Sequence, residues 1–199
     1  MVTRVRKTKS VDRILAAAAE LFYLHGLRGV GVEQVIERSG VAKSTLYVHF
    51  RTKEDLVAEY LRRTDESWRA RLRAAAEAAG PAAADQLVGV FDALVDAFDR
   101  HGFFGCPFIS AAVETTLDSE ARAITIQHTE RRQEWLAELS EQAGASDARG
   151  LAQQIGLLID GALASGRLLQ DRTVVDGAKA AAGHLIGSHL AVAQPTSVI

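Results

Sequence analysis

Residues 39–56 read SGVAKSTLYVHFRTKEDL, about five helical turns' worth of chain that holds Lys43, Arg51 and Lys53, the hydroxyls of Ser44, Thr45 and Tyr47, and His49. These are hydrogen-bond donors of the size that meets phosphate oxygens and base edges. Set on a helix over residues 42–49, the spacing turns Leu46 and Phe50 inward and leaves Lys43, Ser44, Thr45, Tyr47 and His49 outward. Such a helix laid in a DNA major groove would bring Lys43 to guanine acceptors and the Thr45 methyl to thymine, with Ser44 beside them. Tyr47, His49 and Lys53 would meet the phosphate backbone, Lys53 with help from the positive end of the helix it opens.

A helix in that position needs a partner to orient it. Residues 32–39 supply a second short helix, with Val32, Val35 and Ile36 on one face and Gly40 suited to its left-handed end. Only three or four residues join the two helices, so they cross steeply, which is the spacing of a helix-turn-helix. An amphipathic helix over residues 10–25 precedes them, and Gly26 is its stop signal. Basic residues Arg4, Arg6, Lys7 and Lys9 form an N-terminal arm suited to a minor groove. After the pair, Thr52 and Asp55 have the spacing of a reciprocal cap, opening a long helix over residues 53–79 that Gly80-Pro81 ends.

The rest of the chain reads as more helices, over residues 82–101, 119–143, 147–169 and 174–192, with a short one after Pro107. Strand-like alternation is missing, so the expected fold is all-α with about nine helices. The expected domains are a DNA-binding head, residues 1–52, and an effector-binding and dimerisation body, residues 53–199. Charge divides the same way: residues 1–73 carry 15 Lys+Arg against 9 Asp+Glu, and residues 74–199 carry 8 against 16. Only the first part has the electrostatics of a surface that meets a polyanion. The single cysteine, Cys106, excludes an intramolecular disulfide. No apolar run reaches the length of a membrane helix and no secretory signal opens the chain, so a cytoplasmic protein without membrane contact is expected. G-V-G at 29–31 lacks a third glycine, and no P-loop, G-x-S-x-G or H-E-x-x-H occurs, so binding is expected rather than turnover, with no catalytic residue, cofactor or metal.

Residues 10–60 resemble the DNA-binding domain of the tetracycline-repressor (TetR) family of bacterial transcriptional regulators. The resemblance rests on the glycine-valine turn, the T-L-Y core, the aromatic-x-histidine-phenylalanine end and the lysine of GVAKSTLYVHFRTKEDL. It implicates Lys43, Ser44 and Thr45 near bases and Tyr47, His49 and Lys53 at phosphates. Gly31 and Ala42 depart from the hydroxyl residues frequent at those two helix starts. Further on, the pattern GCPF-x5-E and the run QIGLLIDGALASG resemble a branch of the family whose ligand is unassigned. The resemblance implies a homodimer, with the last two helices forming a four-helix bundle with a second copy. The candidate interface there is Leu151, Ile155, Leu158 and Ala162, with Ala178, Ala182, Leu185 and Ile186.

Aromatic residues on three candidate helices suggest an apolar cavity for an unidentified small-molecule effector. Its candidate lining is Trp68, Phe91, Phe98, Phe104, Phe108 and Trp135, with Glu114 or Asp160 to orient a ligand. The expected function is a ligand-responsive regulator, a repressor released from a palindromic double-stranded DNA operator. Two alternatives stay open: a dimeric adaptor that keeps the fold without specific operator binding, and an enzyme built in the body cavity.

Overall fold

The computed structural model of the chain describes residues 2–99 and 103–192, with side chains for 9–99 and 103–191. The side chains of Arg4, Arg6 and Lys7 in the basic arm lie outside these residues. All the regular structure among the described residues is helical: α1 (Val2–Gly29), α2 (Val32–Ser39), α3 (Lys43–His49), α4 (Lys53–Ala78), α5 (Ala83–Gly89), α6 (Asp92–Asp99), α7 (Pro107–Glu114), α8 (Glu120–Gln142), α9 (Ala148–Leu169) and α10 (Thr173–Val192). They form two compact units, one of residues 1–66 and 107–127 and the other of residues 67–106 and 128–199.

In the first unit α1 is kinked at Gly26, whose φ of 76° and ψ of 167° are open to glycine and strained for other residues. Ile14, Leu15, Ala18 and Phe22 of α1 are buried, as are Val35 of α2, Leu46 of α3 and Leu56, Val57 and Leu61 of α4. Phe22 and Tyr60 tilt against each other with ring centroids 5.4 Å apart. Thr52 and Asp55 close the expected reciprocal cap at the start of α4. The Thr52 hydroxyl accepts from the Asp55 amide at 3.1 Å, and the Asp55 carboxylate accepts from the amides of Thr52 and Arg51 at 3.1 and 2.9 Å. Arg63 of α4 pairs with Asp12 of α1 at 2.7 Å.

In the second unit a core gathers Trp68, Leu72 and Ala76 of α4, Leu87, Val90, Phe91 and Leu94 of the α5–α6 region, Phe103 of the segment before α7, Leu136 and Leu139 of α8, and the inner faces of α9 and α10. The single helix expected over residues 82–101 is two helices, α5 and α6, with a turn at Val90-Phe91. The amides there bond three residues back, Phe91 to Val88, Ala93 to Val90 and Leu94 to Phe91. Gly89 explains the place of the turn. A Cβ there would lie 2.4 Å from that of Ala79 and 3.0 Å from the Ala75 carbonyl, so α5 comes against α4 where glycine alone fits. The end expected at His101 falls outside the described residues. The helix start at residue 147 is capped by Asp147, whose carboxylate accepts from the Gly150 amide at 2.9 Å.

Candidate nucleic-acid interface and body site

Gly40 makes the turn between α2 and α3. It takes the left-handed conformation, φ 62° and ψ 28°, and its amide donates to the Ile36 and Glu37 carbonyls at 2.9 and 3.2 Å. Arg13 of α1 secures the same corner, donating from its guanidinium to the Ser39 and Gly40 carbonyls at 2.6 and 3.1 Å. A cation there also faces the negative end of α2. Where hydroxyl caps were missing from the sequence, the two helix starts differ. The Gly31 amide finds the Gln34 side-chain oxygen at 2.7 Å, so half of a capping box survives without a capping side chain. Ala42 leaves α3 with no side-chain cap.

With this corner held, α3 buries Leu46 at 1 % exposure and turns Lys43, Ser44 and Tyr47 to solvent, Tyr47 at 42 %. Thr45, His49 and Lys53 are half-buried. Among the described residues, the hydroxyls of Ser44, Thr45 and Tyr47 and the ammonium of Lys53 have no hydrogen-bond partner, so their donors are available to a ligand. Lys43 is engaged: its ammonium lies 3.2 Å from the Glu33 carboxylate of α2, and both side chains are exposed. The Glu33 carboxyl is held below the usual carboxylate range by a backbone hydrogen bond first, and by the hydrogen bond and charge of Lys43 after it.

Sequence reasoning missed Val48, 68 % exposed on the same face. The signal was its place four residues after Ser44. An outward apolar side chain there is of the kind that touches a thymine methyl.

Of the eight candidate pocket residues, Trp68, Phe91, Phe98 and Trp135 share one hydrophobic cluster in the second unit, whereas Phe108 and Glu114 belong to the first. Phe91 is fully buried and Trp68 nearly so within the core of the second unit, while Phe108 is buried on α7 in the first. Phe98 packs on Phe103 with centroids 4.7 Å apart. Phe104 is half-buried, and its carbonyl accepts from Arg167. Glu114 does not await a ligand: its carboxylate accepts from the Arg28 amide at 2.7 Å, and its carbonyl accepts from the Arg28 guanidinium at 2.8 Å. Asp160 is likewise taken, in a bidentate pair with Arg132 at 2.7 Å for each bond. The sequence hid both partners, which lie 86 and 28 positions away. Trp135 lines two clefts on the second unit, with the Arg73 guanidinium over its ring at 5.1 Å.

The candidate interface also needs correction. Leu151, Ile155, Ala162, Ala182 and Ile186 are at most 3 % exposed and belong to the unit's own core, so they cannot form an outer face. Leu158, Ala178 and Leu185 are half-buried against that core. The outer face of α9 is a different stripe, Leu157, Gly161, Ala164 and Leu168, with Leu157 at 65 % and Leu168 at 81 % exposure.

Residues 14–60 match the family of bacterial regulatory proteins called the tetR family. Over 164 residues the chain is 30 % identical to the HTH-type transcriptional regulator LmrA of Bacillus subtilis, covering 80 % of this chain and 85 % of that protein. A shorter match, 37 % over 57 residues, joins 29 % of this chain to 30 % of the HTH-type transcriptional regulator QacR of Staphylococcus aureus. Among solved structures, a TetR-family transcriptional regulator from Streptomyces coelicolor superimposes with a TM-score of 0.86 at 28 % identity, covering 92 % of this chain and 97 % of that one.

Proposed function

The chain belongs to the TetR family of bacterial regulatory proteins, and on that premise we propose that it is a homodimeric repressor released from a palindromic operator by a small molecule. It is a DNA-binding transcriptional regulator and not an enzyme. Among the described residues no helix is long and apolar enough to cross a membrane. The proposal assigns DNA reading to residues 1–52, with Lys43, Ser44 and Thr45 at bases and Tyr47, His49 and Lys53 at phosphates. Residues 53–199 bind the effector and dimerise.

The observation that carries this reading is the outer face of α3, where unpaired donors stand around an exposed Val48 while Leu46 anchors the opposite side. A palindrome requires two such helices about 34–36 Å apart, one helical turn of DNA. The exposed stripe of Leu157, Gly161, Ala164 and Leu168 is the surface that pairs the copies. Release is then a population shift: a ligand that prefers a body conformation with the two α3 helices at the wrong spacing removes the dimer from DNA.

Selection of bound sites from random DNA tests it, with Tyr47→Phe and Lys43→Ala beside the parent protein. The parent should recover a palindrome. Lys43→Ala should change the preferred base at one position per half-site, and Tyr47→Phe should weaken every site about five- to hundredfold, one lost hydrogen bond in each of the two half-sites. A uniform loss on all sequences from both changes, or no recovered consensus, would overturn the reading in favour of the dimeric adaptor.

A further inference from the structure

The second unit contains a cleft of about 300 Å³ between α4 and α8, lined by Arg69, Leu72 and Arg73 on one side and by Arg131, Arg132, Glu134, Trp135 and Glu138 on the other. Four guanidiniums border this small space, and of these Arg69 and Arg131 have interactions of their own. Arg132 is 3 % exposed, and both of its terminal nitrogens are committed to Asp160. Its remaining donor, Nε, is buried and has no hydrogen-bond partner among the described residues. A buried donor left in that state costs about 1–3 kcal/mol, which an acceptor able to reach it would recover.

Arg73 adds a second open donor set. Its guanidinium lies over the Trp135 ring, and no carboxylate pairs with it among the described residues. A guanidinium carries its donors in a planar fork that matches the two oxygens of a carboxylate. The half-buried Trp135 ring supplies apolar surface beside these donors, with the buried Leu72 behind it. Glu134 and Glu138 are exposed at the rim, where they favour a ligand that presents its charge inward and no second anionic group outward.

We infer that this cleft binds a small organic acid, the carboxylate held by Arg73 with the buried Arg132 donor behind it and the apolar body against Trp135. The volume is at the small end for ligand sites and suits a monocarboxylate about the size of benzoate or octanoate. The inference deepens the effector reading and rests on it only for the consequence at the operator.

The test is calorimetric titration of the full-length protein without DNA, using benzoate and octanoate, each against its uncharged amide. At least one acid should bind saturably, at least tenfold more tightly than its amide. Arg73→Gln should weaken that binding about tenfold with the unfolding midpoint unchanged, since the side chain is exposed. Failure of both acids to saturate at millimolar concentration, equal binding of acid and amide, or an undiminished affinity in Arg73→Gln would overturn the site. Operator affinity measured in parallel separates the two ideas. Acid binding that leaves the operator complex intact keeps the site and removes its role as effector site. Operator release by acid that survives Arg73→Gln keeps the effector reading and removes the site.

Discussion

In the proposed DNA complex, Lys43 would arrive with a partner already on it. The Glu33 carboxylate 3.2 Å away must be left behind when the ammonium turns to a base or a phosphate, and its own charge then faces the polyanion. Exposed pairs of this kind are weak, so the exchange is easy, yet its sign is definite. Glu33→Gln should raise affinity for specific and random DNA alike, about two- to threefold at low salt, with the gain fading as salt is added. Because its hydrogen bonds hold the Glu33 carboxyl below the ordinary range, the group stays ionised through neutral pH and loses its pairing only as pH falls through that lowered value. The gain in Glu33→Gln should therefore be constant between about pH 6 and 8. A filter-binding series across that window checks it, and a gain that varies with pH there would point to a different group.

Among the elements, the clearest joint is α1 against α7. Gly26 holds a conformation that other residues adopt only under strain of about 1–3 kcal/mol, and a Cβ there would stand 2.8 Å from the Glu114 carboxylate. That carboxylate cannot retreat freely, since it accepts the Arg28 amide. Gly26→Ala should lower unfolding stability by about 2–3 kcal/mol in urea. In a Glu114→Ala background the same change should cost about 1 kcal/mol less, because the collision is gone while the strain stays. A second joint is Arg132 with Asp160: removing the carboxylate strands a guanidinium that is 3 % exposed, so Asp160→Ala should destabilise by about 2–3 kcal/mol. Equal stability in that variant would mean that solvent reaches Arg132.

The elements also show what was legible beforehand. Gly40, the Thr52–Asp55 cap and the buried Leu46 follow local rules of three or four residues, and so the helix-turn-helix could be read directly. The turn at Val90-Phe91 could not, because Leu87, Phe91, Leu94 and Phe98 keep helical spacing straight across it. Glu114 and Asp160 looked like ligand groups because the arginines that satisfy them are distant in the chain. On α9 and α10, apolar and small residues occupy more than one face, so periodicity alone could not tell the inner face, with Ile155 and Ala162, from the outer one, with Leu157 and Gly161.

For the whole molecule, the proposed pairing of two recognition helices on one operator rests on that outer face. Gly161 offers a direct way to ask, because a Cβ built there meets nothing within 4 Å inside the chain. Glutamate is also a better helix former than glycine by roughly 0.5–1 kcal/mol, so Gly161→Glu should leave the single chain as stable as before or slightly more so. Between two copies the same change would bury an unpaired carboxylate at the centre of the Leu157–Leu168 stripe, which an interface tolerates poorly. Light scattering at micromolar concentration should then report a monomer with unchanged helical content. Operator affinity should fall at least a hundredfold, since each half-site must be bound without the help of the other. Gly183→Glu, in equally open space on α10 but half-buried rather than fully outward, should disturb dimerisation less. A Gly161→Glu protein that stays dimeric and holds its operator would remove the α9 stripe from the interface and require another surface to pair the copies.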